Sequence, residues 1–425
     1  MRRYESYKDS GVEWLGEVPS HWDVQRSKFI FKKIERKVNE EDQIVTCFRD
    51  GQVTLRANRR TEGFTNALKE HGYQGIRKGD LVIHAMDAFA GAIGISDSDG
   101  KATPVYSVCL PHDKQKIDVY FYAYYLRNLA LSGFISSLAK GIRERSTDFR
   151  YADFAELLLP IPPYLEQQKI AQFLDDKTAK IDQAVDLAEK QIALLKEHKQ
   201  ILIQNAVIRG LNPDVPLKDS GVEWIGQVPE HWDVKKLKNI ALIFNGATPS
   251  SNNQDYWDGN IVWITPKDIN NIKFITSSER KITQKGYENC GSYLVSPGTI
   301  VITTRAPIGK VAITDVELCT NQGCKSLVLN EKINNIFLYY YLTVSTEYLN
   351  SLGSGTTFME LSGTALGIIK VPFPSIQEQQ QIADYLDTQT AKIDQAIALK
   401  TAHIEKLKEY KSVLINDVVT GKVQV

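Results

Sequence analysis

Two stretches of the sequence contain parts of motifs that act on DNA, and both are incomplete. An enzyme that methylates a base amino group uses an Asn or Asp before Pro-Pro-Tyr, because the side-chain carbonyl orients the exocyclic amine. Here Ile161 precedes Pro162-Pro163-Tyr164, and the corresponding later segment is Pro372-Phe373-Pro374. A metal-dependent nuclease pattern also fails, since Pro213-Asp214 lies far from the nearest downstream Glu-x-Lys, residues 279–281. The sequence therefore predicts neither a methyltransferase nor a nuclease centre.

Motifs for nucleotide, metal and thiol chemistry are incomplete as well. Gly309-Lys310 and Gly421-Lys422 are each followed by Val and lack the upstream glycine of a phosphate-binding loop. The seven histidines show no HExxH or clustered ligand spacing, so we expect no metal site. The cysteines form no CxxC pair, and we expect them to be reduced and structural. They are Cys47, Cys109, Cys290, Cys319 and Cys324.

Positive charge is concentrated in two parts of a chain whose net charge is zero. Residues 24–159 contain 21 Lys and Arg against 17 Asp and Glu, and residues 234–371 contain 13 against 10. The densest cluster of the first segment is Arg56, Arg59 and Arg60. A modest basic excess of this kind suggests contact with nucleic acid without establishing it.

Two long helices are predicted, over Glu166–Asn205 and Glu378–Asn416, because apolar residues recur there at the heptad spacing of a coiled coil. At ~1.5 Å per residue each would be roughly 60 Å long, which favours a spacer. An amphipathic helix within each separate domain is the alternative. The predicted seam residues are Leu174, Ile181, Val185, Ile192, Leu195 and Leu202 in the first helix, and Leu386, Ile393, Ile397, Ile404, Leu407 and Leu414 in the second.

An internal duplication organises the whole chain. Residues 8–24, KDSGVEWLGEVPSHWDV, recur as 218–234, KDSGVEWIGQVPEHWDV. The tryptophans of these two segments, which we call the preambles, are predicted to pack against the long helices, although stacking on bases is the alternative. Between preamble and helix, each half has turn-separated short strands and one aromatic helix, VYFYAYYLRNLAL or FLYYYLTVSTEYL. The loops differ between the halves, which favours recognition of two different targets.

At this point the chain resembles the specificity subunit of type I restriction-modification enzymes. The resemblance rests on both preambles, on the PxPxxxEQxxIaxxLD start of each long helix (Pro160–Asp175 and Pro372–Asp387), and on NGATPSSNNQDYWDGNIVWITPKDI, Asn245–Ile269. The first half lacks the GxTPSxxxxxYW opening of the second. The resemblance implies an α/β (α+β) fold with two globular target-recognition domains, separated by two long antiparallel coiled-coil helices in a pseudo-twofold repeat.

The expected division of the chain follows this scheme. Residues 1–159 hold the preamble and first target-recognition domain, and 160–210 the first long helix. Residues 211–371 hold the linker, repeated preamble and second domain, and 372–425 the second long helix. The resemblance implies a non-catalytic subunit that reads a bipartite, asymmetric double-stranded DNA site. Two methyltransferase subunits and then restriction subunits would dock on it, and S-adenosylmethionine, ATP and Mg would be bound by these partners, with no cofactor in this chain.

Arginine can bind guanine bidentately, whereas lysine more often contacts phosphate. The predicted DNA-binding residues are Arg56, Arg59, Arg60, Lys140, Arg143 and Arg145 in the first domain, and Lys267, Arg305, Thr356 and Thr357 in the second. No stretch approaches the ~18 apolar residues of a membrane span, so a cytoplasmic location without membrane contact is expected. Two other functions stay open: a divergent methyltransferase or nuclease, and a coiled-coil scaffold that binds proteins.

Overall fold

The computed structural model describes residues 2–59, 71–138, 148–270, 272–354 and 359–425. The chain forms two compact units. Unit 1 comprises Met1–Glu189 with Ala402–Val425, and unit 2 comprises Lys190–Thr401. Each unit therefore contains one preamble, one sheet-and-helix module and a stretch of both long helices.

Unit 1 contains a four-stranded antiparallel sheet in the order β4-β11-β8-β9 and four further two-stranded pairs among its described residues. Its strands are β1 (Tyr7–Asp9), β2 (Glu17–Pro19), β3 (Asp23–Arg26), β4 (Phe31–Lys33), β5 (Val45–Cys47), β6 (Val53–Leu55), β7 (Gln74–Ile76), β8 (Leu81–His84), β9 (Ile93–Ile95), β10 (Gly100–Ala102), β11 (Tyr106–Pro111) and β12 (Leu158–Ile161). Its helices are α1 (Ser27–Ile30), α2 (Val119–Leu131), α3 (Phe134–Leu138), α4 (Tyr151–Glu156) and the first part of α5 (Tyr164–Arg209).

Unit 2 contains a five-stranded mixed sheet in the order β16-β23-β20-β21-β18 and a three-stranded sheet in the order β19-β17-β22. Its strands are β13 (Leu217–Asp219), β14 (Gln227–Pro229), β15 (Asp233–Lys236), β16 (Ala241–Asn245), β17 (Trp257–Ile264), β18 (Phe274–Ile275), β19 (Lys281–Ile282), β20 (Ile300–Thr303), β21 (Val311–Thr314), β22 (Leu318–Thr320), β23 (Cys324–Leu329) and β24 (Lys370–Phe373). Its helices are α6 (Gln284–Glu288), α7 (Asn335–Val344), α8 (Thr346–Ser351), α9 (Gly363–Ile368) and the first part of α10 (Ile376–Val419).

Both preambles fold into the same small hairpin, with Tyr7 opposite Pro19 in unit 1 and Leu217 opposite Pro229 in unit 2. Trp22 is fully buried in one hydrophobic cluster with Ile170 of α5. Trp232 is likewise buried, in the core of unit 2. The prediction that these two side chains pack internally is therefore confirmed, and stacking on bases is excluded for them.

The aromatic helices α2 and α7 are tied to the long helices by a repeated glutamine. In unit 1, Gln167 donates from Nε2 to the carbonyls of Pro162 and Lys116, at 2.7 and 3.0 Å, and its Oε1 accepts from the backbone of Asp118 at 2.8 Å. Asp118 in turn caps the N-terminus of α2. Gln379 makes the equivalent three contacts before α7. This fully buried amide explains why the start of each long helix carries the same EQQ sequence.

The two long helices extend slightly beyond the predicted limits, to 46 residues in α5 and 44 in α10. At ~1.5 Å per residue they are about 69 and 66 Å long. In unit 2 they run antiparallel, because Gln191 contacts Lys400 and Lys199 contacts Asp394. In unit 1, Lys411 donates to Asp182 at 2.6 Å.

All twelve predicted seam residues are buried or half-buried. Leu174, Leu386 and Leu414 are the most deeply buried, at 0 to 2 % exposure. Toward the middle of each helix the seam residues are only half-buried, as for Val185 and Ile397. The strongest packing of the helices is therefore where the modules also contact them.

Candidate nucleic-acid interface

Unit 1 has an open cleft of about 630 Å³ where the β5–β6 hairpin meets the loop after β8. Arg49, Arg56 and Arg59 line it, together with Asp50 and Asp87. The hairpin turn places Arg49 and Asp50 at the rim, and a short 3-10 helix that follows β6 carries Arg56. Two of the predicted DNA-binding residues, Arg56 and Arg59, thus lie in one cleft.

The arginines of this cleft are held by polar and aromatic partners. Arg59 pairs with Asp50 at 2.6 Å and lies 4.4 Å from the centroid of the Phe48 ring. Arg49 donates to Asp87 at 2.8 Å. Arg56 donates from Nε to the Thr46 hydroxyl at 3.4 Å. These contacts fix where the guanidinium groups lie, but the carboxylates also neutralise part of the positive charge.

His84 lies behind this rim as a neutral side chain. Burial lowers the pKa of its imidazole, and the opposing effect of Asp87 does not restore it. Its Nδ1 accepts a hydrogen bond from the backbone of Asp87 at 3.0 Å, which requires an unprotonated nitrogen. His84 therefore braces the loop that carries Asp87 and adds no charge to the cleft.

In unit 2, the loop between β20 and β21 presents Arg305, which pairs with Glu360 at 3.0 Å. Lys325 is buried nearby and donates to the Asn245 side chain at 2.7 Å. Burial lowers the pKa of Lys325, against the effect of Glu360, because its ammonium group is partly removed from water. The side chain of Arg305 is 44 % exposed, and its guanidinium group is already bound to the Glu360 carboxylate.

Unit 2 has a cleft of about 490 Å³ that contains the predicted residue Lys267 and also Arg280, which the sequence analysis missed. Asp268 fixes its wall: the Thr265 backbone and hydroxyl donate to it at 2.8 and 2.7 Å, and the Glu279 backbone donates at 2.9 Å. Arg280 lies over the Trp257 ring, 3.6 Å from its centroid. The only sequence signal for Arg280 is its charge, because its aromatic partner is distant in the chain.

The remaining predicted contacts lie outside the described residues. They are Arg60, Lys140, Arg143, Arg145, Thr356 and Thr357. Of the ten predicted DNA-binding residues, the structure thus locates Arg56 and Arg59 in one cleft of unit 1, and Lys267 and Arg305 at two places in unit 2.

The cysteines are free thiols. Burial raises the pKa of Cys109, Cys319 and Cys324 to about 12, so these groups stay protonated at neutral pH. Within the described ranges, no group of three or more His, Cys, Asp or Glu side chains is arranged to hold a metal ion. The helices in this part of the chain include none with the length and apolar character needed to span a membrane.

Two modules with a common framework are each tied to a stretch of both long helices, and each carries an arginine-containing cleft; this is the arrangement of a duplicated binding protein. The chain belongs to the family described as the type I restriction modification DNA specificity domain, whose model matches residues 22–196 and 229–409. DNA recognition is thus its function, and the family is one of recognition rather than catalysis. The predicted family, fold class and non-enzymatic role are confirmed, and the enzyme and scaffold alternatives are not favoured.

Similar proteins agree with this assignment. The putative type I restriction enzyme MjaX specificity subunit of Methanocaldococcus jannaschii is 26 % identical over 97 % of this chain and 96 % of its own length. The MjaIX specificity subunit of the same organism is 44 % identical, over 38 % of each chain. A solved chain from a study of type I R-M system assembly and conformational transition has a TM-score of 0.73 at 17 % identity, covering 96 % of this chain and 99 % of that one. Because this solved chain is only 17 % identical, its similarity is evidence for the fold alone.

Proposed function

We propose that this chain is the recognition subunit of a type I restriction-modification complex and binds double-stranded DNA at a bipartite, asymmetric site. Each unit reads one half-site. The observation that carries this proposal is that the units share their framework but differ in their clefts. The buried glutamine contacts recur, whereas the cleft described in unit 1 is lined by Arg56 and Arg59 and the one in unit 2 by Lys267 and Arg280.

The partners we propose are two methyltransferase subunits, followed by restriction subunits, in the cytoplasm. Exposed apolar residues recur every seven positions on α5, at Leu187, Leu194 and Ile201, with exposures of 57, 63 and 49 %. On α10, Leu399 and Val413 occupy the positions equivalent to Leu187 and Ile201 and are similarly exposed. Apolar surface that occurs twice suits two copies of one partner. S-adenosylmethionine, ATP and Mg would be bound by these partners.

The proposal is tested by co-expressing the chain with its methyltransferase subunit in a host without adenine methylation. Methylated bases are then mapped across the genome by single-molecule sequencing. The expected result is one split motif with two different half-sites and a fixed gap. A stable complex that methylates no motif would contradict the proposal and favour the scaffold function.

A further inference from the structure

Arg280 of unit 2 is held on a rigid aromatic support. Its guanidinium carbon lies 3.6 Å from the centroid of the Trp257 ring, and Trp257 is itself only 7 % exposed. A cation over an indole face at this distance is attracted by the ring, and the contact limits the conformations of the long side chain. The side chain of Arg280 is exposed, so its donors can reach a ligand.

The aromatic support consists of two tryptophan rings, Trp257 and Trp263, and each ring is fixed by a hydrogen bond. Trp257 Nε1 donates to the Ser250 carbonyl at 3.2 Å, and Trp263 Nε1 donates to the Ala247 carbonyl at 3.0 Å. The two rings meet edge to face at 5.1 Å. The loop of residues 246–256 is thereby tied to β17, so the fold itself holds the surface on which Arg280 rests.

Arg280 differs from Arg49, Arg59 and Arg305 in its charge balance. Arg49, Arg59 and Arg305 each pair with a carboxylate, at 2.8, 2.6 and 3.0 Å. In the described part of the chain, no carboxylate lies within ion-pair distance of Arg280, and Asp268 is already bound by Thr265 and the Glu279 backbone. The donors of Arg280 therefore need not leave a partner before they bind DNA.

The other residues of the cleft favour a base over a phosphate as the ligand. Lys267 and Arg280 supply donors, but the exposed Glu279 carboxylate lies on the same wall. A carboxylate repels phosphate, whereas it accepts a hydrogen bond from the amino group of cytosine. The fork of an arginine matches the two acceptors of guanine in the major groove.

We propose that Arg280 is a specificity-determining residue that reads a guanine in the half-site of unit 2. This assignment rests on the proposed function, and it names one base contact that the family membership does not give. Lys267, which also lines the cleft, contacts the neighbouring DNA backbone as a point charge.

The test uses the complete complex with its methyltransferase subunit and compares three variants by methylation mapping. Arg280→Ala removes the fork, Arg280→Lys keeps the charge without the fork, and Lys281→Ala removes a charge from the next exposed residue, which does not line the cleft. Discrimination for guanine at one position of one half-site should fall on the order of 10- to 100-fold in both Arg280 variants. The other half-site and the Lys281→Ala motif should be unchanged.

Three results would overturn this assignment. The first is a motif that stays unchanged in Arg280→Ala while methylation falls at all sites, which indicates a backbone contact. The second is retention of the guanine by Arg280→Lys, which shows that charge alone suffices. The third is relaxation of both half-sites. A wild-type complex that methylates without a split motif would overturn the proposed function itself, and that result is distinct from the other three. Thermal melting of each variant checks that the fold is retained.

Discussion

At the scale of single residues, each preamble is fastened to a long helix by one glutamate. His21 Nε2 lies 2.8 Å from Glu166, and His231 Nε2 lies 2.8 Å from Glu378. Trp232 also donates to Glu378, at 3.2 Å. These contacts give the preamble histidines a structural role. The glutamate of the EQQ sequence thus binds the preamble, and the first glutamine, Gln167 or Gln379, binds the segment before the aromatic helix.

The stability contributed by Glu378 should depend on pH. Burial opposes ionisation of this carboxyl, but hydrogen bonds from His231, Trp232 and Ser375 outweigh it and lower the pKa. A lowered pKa means that the stabilisation is complete above the unfolded value of about 4.3 and is lost as the pH falls through the folded value. Glu378→Gln should therefore cost about 1 kcal/mol of unfolding free energy at pH 7, and the deficit should shrink below about pH 4.

The measurement is denaturant unfolding of both proteins at a series of pH values. Glu197→Gln is the matched control, because Glu197 is an exposed helical glutamate of the same unit. A deficit for Glu378→Gln that is the same at pH 7 and pH 3.5 would show that the carboxylate is not responsible.

The sequence indicated which residues carry charge, but not which of them are already paired. Arg59 and Arg305 were predicted as DNA contacts from residue type, yet each has a carboxylate partner brought to it by the fold. Arg280 was missed because its support, Trp257, comes from a different strand. Pairing and stacking of this kind depend on tertiary structure, so a local pattern cannot reveal them.

At the scale of elements, the long helices were predictable because a heptad pattern is local. The predicted limits differ from those of α5 and α10 by a few residues at each end. The strand order of unit 2 was not predicted, since β17 pairs in parallel with β22 and β18 in parallel with β21. Parallel pairs join segments that are distant in the chain, and short runs of apolar residues do not specify which runs pair.

Apolar burial, rather than ion pairing, should provide most of the stability of the helix pair. Leu386 is fully buried, so Leu386→Ala should cost about 2–5 kcal/mol of unfolding free energy. Lys199 and Asp394 are 2.6 Å apart, but their side chains are 29 and 57 % exposed. Lys199→Ala should therefore cost only about 0–1 kcal/mol. Urea unfolding of the two variants measures both effects.

Leu399→Ala is the control for this comparison, because Leu399 lies on the same helix and is 66 % exposed. Its unfolding free energy should stay close to that of the wild type. An equal loss for Leu386→Ala and Leu399→Ala would mean that the seam is not the stabilising surface. A larger loss for Lys199→Ala than for Leu386→Ala would assign the main role to the ion pair.

At the scale of the whole molecule, each unit is built from both halves of the duplicated sequence. Unit 1 takes residues 402–425 from the end of the chain, and unit 2 takes residues 190–209 from the first long helix. Equivalent ion pairs stabilise the two stretches of the helix pair: Lys411 with Asp182 in unit 1, and Lys199 with Asp394 in unit 2. The helices pass from one unit to the other after Glu189 and after Thr401.

The points after Glu189 and Thr401 are where a change in helix length should alter the DNA site without altering either cleft. One heptad inserted at both points keeps the seam in phase and adds about 10 Å to each helix. At 3.4 Å per base pair this corresponds to about three base pairs. If the helices set the distance between half-sites, methylation mapping of the complex should show both half-sites unchanged and a gap about three base pairs longer. A heptad inserted after Glu189 alone is the control. It lengthens α5 but not α10, so the pairs Lys411–Asp182 and Lys199–Asp394 cannot both keep their register, and folding should be impaired instead. A double insertion that methylates the original motif with its original gap would refute the role of the helices as the spacer.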